Sequence, residues 1–169
     1  MSTHVAVNTH THSVTYVTGE MVRSLKQIVR LSGLNADLLM NSWASLEAGI
    51  STWIRSQHLK KVTLEIYNPR TDGLVTRWDF EINYSYGADD DGSLWADHEA
   101  IKLAIAKAGV VAATCKYEFV ILNAPGREDV AGWGPGGYRT TEGFLQHSIG
   151  TTIAGNSLGT GTSFWRKST

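Results

Sequence analysis

Apolar positions along this chain of 169 residues switch between two spacings, and the switches divide it into elements. Val5 and Val7 alternate with polar residues as far as Thr11, which predicts a short strand or extended arm. Val14, Val17, Met21, Leu25 and Ile28 then step by three or four, the spacing of one helix face. Ser13 is the expected cap of this helix and Gly33 its stop. A second helix is predicted from Asn35 as cap, with Asp37 favourably placed in the first turn. Its buried stripe is Leu39, Trp43, Leu46, Ile50, Trp53 and Ile54. Gly49 lies inside that stripe at a cost of about 1 kcal/mol relative to alanine, which points to close packing or a bend.

The period then falls to two. Val62, Leu64 and Ile66 alternate with Thr63, Glu65 and Tyr67. After the turn residues Asn68, Pro69, Arg70, Thr71, Asp72 and Gly73, the positions Trp78, Phe80, Ile82, Tyr84 and Tyr86 alternate with Arg77, Asp79, Glu81, Asn83 and Ser85. An antiparallel hairpin with one buried and one solvated face is expected. Asp97 caps a third helix through Ile101, Ala104, Ile105 and Ala108, and Gly109 closes it. A nearly continuous apolar strand follows at 116–122, for which alternation does not decide whether Tyr117, Phe119 and Ile121 or Glu118 and Val120 face the helices. Three helices against a mainly antiparallel sheet make the expected class α+β.

The remainder, 123–165, departs from both periods. It carries glycines at 126, 132, 134, 136, 137, 143, 150, 155, 159 and 161, threaded with Trp133, Tyr138, Phe144, Phe164 and Trp165. A linker would lack such bulky apolar anchors, so the segment is expected to be a pliable arm that packs against the core. The plainer alternative makes these aromatics ordinary core.

Composition narrows the function. A net charge of −1 supplies no basic field for nucleic acid. One cysteine, Cys115, excludes a disulfide within the chain and reads as a small buried thiol at the start of the strand 116–122. The N-terminus lacks the pattern of a signal peptide, and no apolar run approaches a membrane span, so a cytoplasmic setting is expected. Gly132, Gly134 and Gly137 match the letters of a dinucleotide fingerprint, but no strand and helix flank them in the required order. The run 155–162 lacks the lysine of a phosphate loop. Asp89, Asp90 and Asp91 could attract a hard cation, although calcium loops space their ligands differently. His10 and His12 would share one side of a strand, with His4 near, but no third or fourth metal ligand is evident. His98 and Glu99 lack the partner histidine of a zinc-protease helix, and His58 and His147 stand alone in sequence. No catalytic residue, metal or cofactor is expected.

The order of elements and several local phrases resemble the bacterial HORMA-domain proteins of CBASS antiphage operons, relatives of the spindle-checkpoint and meiotic HORMA proteins. The phrases include His12-Ser13-Val14-Thr15-Tyr16, Tyr67-Asn68-Pro69-Arg70-Thr71-Asp72, Asp91-Gly92-Ser93-Leu94-Trp95, Pro125-Gly126-Arg127 with Gly132-Trp133, and Trp165-Arg166-Lys167. The resemblance covers essentially the whole chain. It implies one HORMA domain with an N-terminal arm at 1–12, a core at 13–122 and a C-terminal safety belt at 123–169. It implies that the belt wraps a closure-motif peptide added to the sheet. The implied contacts are Lys116, Tyr117, Glu118, Phe119, Val120 and Ile121 on the strand, with Trp133, Tyr138, Phe164 and Trp165 from the belt. It further implies that the closed form activates a CD-NTase making a cyclic oligonucleotide signal. An AAA+ ATPase would open it by engaging His4, Val5, Val7 and His10, and another HORMA protein is a further implied partner. The competing readings are a metal-dependent hydrolase using His10, His12 and the 89–91 carboxylates, and a static structural subunit.

Overall fold

A computed structural model describes the backbone of residues 2–85 and 94–168, and the side chains of that set from residue 11 onward. Helix α1 (Ser2–Leu31) runs through the centre of the helical layer. Val14, Val17, Met21, Leu25 and Ile28 are all at most 1% exposed, as their spacing predicts. The helix stops at Gly33, whose φ of 94° lets its N–H reach the carbonyl of Arg30 while Leu34 bonds back to Val29. That pair of bonds is the Schellman ending, with Leu34 and Val29 meeting in the core.

The start of α1 corrects an expectation. Positions 5–11 are not an extended arm but continue the helix upstream, so Ser13 is not a cap. Its buried hydroxyl instead accepts the backbone N–H of Asn156 at 2.8 Å, fastening the far hairpin to the helix. The helical backbone also removes the period-two geometry that a His10 and His12 pair required; the side chains of His4, Val5, Val7 and His10 lie outside the described set.

The single second helix becomes two, α2 (Asp37–Asn41) and α3 (Trp43–Arg55), broken at Ser42. Asn41 and Ser42 are residues that favour turns over helix interiors. Leu39, Leu46, Ile50, Trp53 and Ile54 are buried as predicted, while Trp43 is only half-buried. Strands β1 (Leu59–Tyr67) and β2 (Leu74–Asn83) form the expected antiparallel hairpin, with Leu64 opposite Trp78 and Val62 opposite Phe80. Tyr86 and the 89–91 carboxylates fall outside the described residues. A short β3 (Trp95–Ala96) precedes α4 (His98–Ala108), which Asp97 caps by accepting the N–H of Ala100. His98 there faces Glu20 of α1. Cys115 is half-buried rather than buried.

Strand β4 (Lys116–Asn123) follows, and the glycine-rich remainder is more regular than its composition suggested. Its second half is a long hairpin of β5 (Phe144–Gly155) and β6 (Leu158–Lys167); the irregular part is confined to 124–143. All pairings are antiparallel, in the order β3-β5-β6-β2-β1-β4. One face packs on the helices through Val62, Leu64, Trp78, Phe80, Ile153 and Phe164. The other face is solvated as expected at Glu81 and Asn83, but Thr63, Glu65, Arg77 and Asp79 are at most 7% exposed. The 124–143 loop covers that buried part. Among the described residues no helix is long and apolar enough to cross a membrane.

Candidate functional site

Among the described residues β4 pairs only with β1, so its other edge is open. The tyrosine at its start settles which side chains face the helices. Tyr117 donates to the carbonyl of Asn35 at 2.8 Å and accepts the N–H of Leu39 at 3.2 Å. Phe119 meets it edge to face at 5.9 Å on the same side. Glu118 points to the opposite face.

The loop after β4 is fixed first on the helices. Ala124 bonds to the carbonyl of His58, and the indole N–H of Trp53 donates to the carbonyl of Glu128 at 2.8 Å. Ser56 holds the Glu128 carboxylate, and the Arg127 guanidinium lies 4.8 Å from the Trp53 ring. Gly132 is required where it stands. Its φ is 92° and a Cβ would come within 2.8 Å of the Ser45 hydroxyl. Trp133 then lies on α3, donating to the Ser45 carbonyl at 2.8 Å and meeting Trp53 edge to face at 5.7 Å. A Cβ at Gly49 would collide with its indole. The close packing read from Gly49 is therefore found, and its partner is Trp133.

Beyond Trp133 the chain rounds the open edge of β4 and lands on the other face of the sheet. Tyr138 lies there with the Arg77 guanidinium 4.4 Å from its ring and Lys61 5.2 Å away. Burial pushes its phenol pKa up. Arg139 follows. Its guanidinium bonds to Glu65 at 2.8 Å, to Asp72 at 2.8 Å and to Glu118, and it lies over the Tyr67 ring. Its backbone N–H donates to the second oxygen of Glu65 at 2.9 Å. Burial opposes the charged form, but bonds to Asp72, Glu118 and Glu65 outweigh it and hold Arg139 protonated more firmly than an ordinary arginine.

The stretch 134–137 spans the two anchors and bounds a cavity of about 370 Å³. The cavity lies between it, the edge of β4 and the α2–α3 pair. A Cβ on Gly134, Gly136 or Gly137 would meet nothing within 4 Å among the described residues. Its walls mix apolar surface from Leu38, Leu46 and Phe119 with the hydroxyls of Ser42 and Ser45.

Of the expected contact residues, the structure brings together Glu118, Phe119, Val120, Ile121 and Trp133 at this cavity. Lys116 and Tyr117 lie on the same strand but do not line it, Tyr117 being committed to α2. Tyr138 sits beyond the cavity on the opposite face. Phe164 and Trp165 do not reach it at all, since β2 and β1 separate their strand from β4. Phe164 is core, 5.0 Å from Trp78 and 4.9 Å from the stacked His147 ring. Trp165 donates its indole N–H to Asp79 at 2.9 Å, part of the platform beneath Tyr138. Sequence reasoning missed the α2–α3 wall and Arg139. Nothing in the spacing marks either, because both are defined by what the loop lays against them. No group of three or more His, Cys, Asp or Glu side chains suited to a metal ion occurs among the described residues.

The sequence pattern of the family described as Bacterial HORMA domain 2 matches residues 2–168. No functionally curated protein matches the sequence. Among solved structures, a chain of the E. coli MS115-1 CdnC:HORMA-deltaN complex is similar with a TM-score of 0.65 at 10% identity, over 94% of this chain and 89% of that one. A chain of the mitotic checkpoint complex aligns with a TM-score of 0.61 at 10% identity, over 79% of this chain and 75% of that one. C. elegans HTP-2 bound to the HIM-3 closure motif aligns with a TM-score of 0.58 at 13% identity, over 79% and 71%. Identities this low establish a shared fold.

Proposed function

Since the chain belongs to the bacterial HORMA domain 2 family, we propose that it is a non-enzymatic switch that binds an extended peptide along the open edge of β4. The observation that carries this is the cavity bounded by that edge, the α2–α3 wall and the 134–137 stretch. Strand addition draws affinity from main-chain hydrogen bonds and specificity from pockets for alternate side chains. The apolar wall of Leu38, Leu46 and Phe119 offers such a pocket on the helix side. A similar fold in C. elegans HTP-2 is bound to a closure motif, which supports the same mode here.

The part of the safety belt at 123–169 that would open over the β4 edge is the irregular 124–143 stretch. Ordering a loop costs ~1–2 kcal/mol per residue in backbone freedom. Burial of Trp133 and the charge-assisted bonds of Arg139 offset part of that cost. Two packings of one sequence can lie within a few kcal/mol of each other, which is what an open and a closed belt require.

In the closed, peptide-bound form the protein binds and activates a CD-NTase that makes a cyclic oligonucleotide signal in antiviral defence. The similarity to a chain of a CdnC:HORMA-deltaN complex supports that partner. An AAA+ ATPase reopens the belt by pulling on the N-terminus. With α1 starting at Ser2, it would take hold of helix rather than an extended arm.

The test is peptide capture from a displayed random library by the full chain, followed by amide exchange on the complex. Enrichment of one motif with new protection along β4 is expected. No enrichment, or protection elsewhere, would overturn the assignment. Adding the captured peptide to a mixture with a CD-NTase should raise cyclic oligonucleotide synthesis, which chromatography of labelled product reads directly.

A further inference from the structure

Arg139 joins three carboxylates that come from three separate places in the chain. Glu65 is on β1, Asp72 is in the turn after it, and Glu118 is on β4. The Glu65 side chain is fully buried and the Arg139 side chain is 13% exposed. Both oxygens of Glu65 are used, one by the Arg139 guanidinium and one by its backbone N–H. The loop is therefore held by main chain and side chain at a single residue.

The cover over Glu65 and the charge that answers it arrive together. Arg77 lies opposite Glu65 across the β1–β2 ladder, but its guanidinium is committed to Asp79 at 2.9 and 3.1 Å. With the belt lifted, Glu65 would lose its partner and regain water in the same event. A buried carboxylate without a partner is strongly unfavourable, whereas a solvated one is not. The cluster therefore penalises a half-open belt, in which Glu65 stays covered and Arg139 is displaced. This favours two discrete positions over a continuum.

We propose that Arg139 is the positioning residue that latches the belt shut over the β4 edge, acting through Glu65 rather than through the peptide. It rests on the belt being the part that moves, but its test requires no peptide, so it can fail while peptide binding stands.

The experiment is native-state amide exchange on the full chain, comparing wild type with Arg139→Ala and Arg139→Lys. A latch predicts that Arg139→Ala raises exchange about tenfold or more at the hydrogen-bonded amides of Trp133 and residue 139, while amides of β1, β2 and β6 keep their wild-type rates. Arg139→Lys should recover part of the protection, since an ammonium holds fewer of the carboxylates at once. If Arg139→Ala does not fold, Arg139→Lys alone carries the test, with a smaller rise confined to the same amides. Exchange rising equally throughout the sheet would make the cluster ordinary core and overturn the proposal. Unchanged exchange at those amides in both variants would overturn it as well.

Discussion

The indole of Trp133 lies on the backbone of α3 at Gly49, in space that a side chain at Gly49 would occupy. An exposed helix interior would gain about 1 kcal/mol from Gly→Ala. Here Gly49→Ala should lower stability instead, by displacing the ring and its bond to Ser45. In a Trp133→Ala background the same change should cost less, with the Trp53 ring at 3.0 Å from the new Cβ as the remaining close contact. Denaturant midpoints of the four proteins in that cycle check the coupling, and additivity would show that the two positions are independent.

Gly136 makes the opposite prediction. A Cβ there meets nothing among the described residues, and its φ lies outside the left-handed region. Gly136→Leu should leave the unfolding free energy of the free chain within about 0.5 kcal/mol of the starting value, as for a surface change. If the peptide lies beneath this stretch, the same variant should weaken capture by about tenfold or more. Equal affinity of the two proteins for a captured peptide would place the ligand elsewhere.

Trp165 should affect the belt only at second hand. Trp165→Phe keeps an aromatic ring but removes the indole N–H that bonds Asp79, a buried carboxylate that retains Thr63 and Arg77. A loss of about 1.5–3 kcal/mol in unfolding free energy is expected for a bond to a charged group. Direct contact with a peptide would instead appear as a faster dissociation rate at unchanged stability.

Removal of residues 2–10 should spare the fold, because the contact between Ser13 and Asn156 lies beyond the cut. Peptide retention should be unchanged, and release driven by the proposed AAA+ ATPase should be lost. Release at the wild-type rate by the shortened chain would exclude the N-terminus as the handle.

The legible part of the fold was the part written in periodicity. The helix face from Val14 to Ile28, the stop at Gly33, the β1–β2 hairpin and the cap at Asp97 all stand where the spacing put them. Alternation in β1 correctly sorted Leu64 from Glu65, but it could not tell that the polar side was covered. Coverage comes from Tyr138 and Arg139, more than 70 residues downstream of Glu65 in the case of Arg139. In β6 the glycines at 159 and 161 concealed a strand, because they supply no side chain to alternate. Ser13 had the identity of a cap, yet it lies inside a helix and its hydroxyl serves Asn156 instead. At the site, the strand and Trp133 were readable as an apolar run and a glycine-flanked aromatic. The wall opposite was not, since Leu38, Ser42 and Ser45 acquire their role from the loop laid against them.

An uncovered strand edge carries a second hazard, which is association with other copies of the chain. Unpaired N–H and C=O groups template sheet growth, and sheet proteins blunt such edges with charge, proline or cover. At β4 the guard is the 134–137 stretch, which contains Pro135 and stands off the edge by the depth of the cavity. That spacing excludes a second folded sheet, which would have to bring its own bulk to the edge, while leaving room for one isolated strand. The stretch that leaves room for one strand at the edge would thus also obstruct a second sheet there.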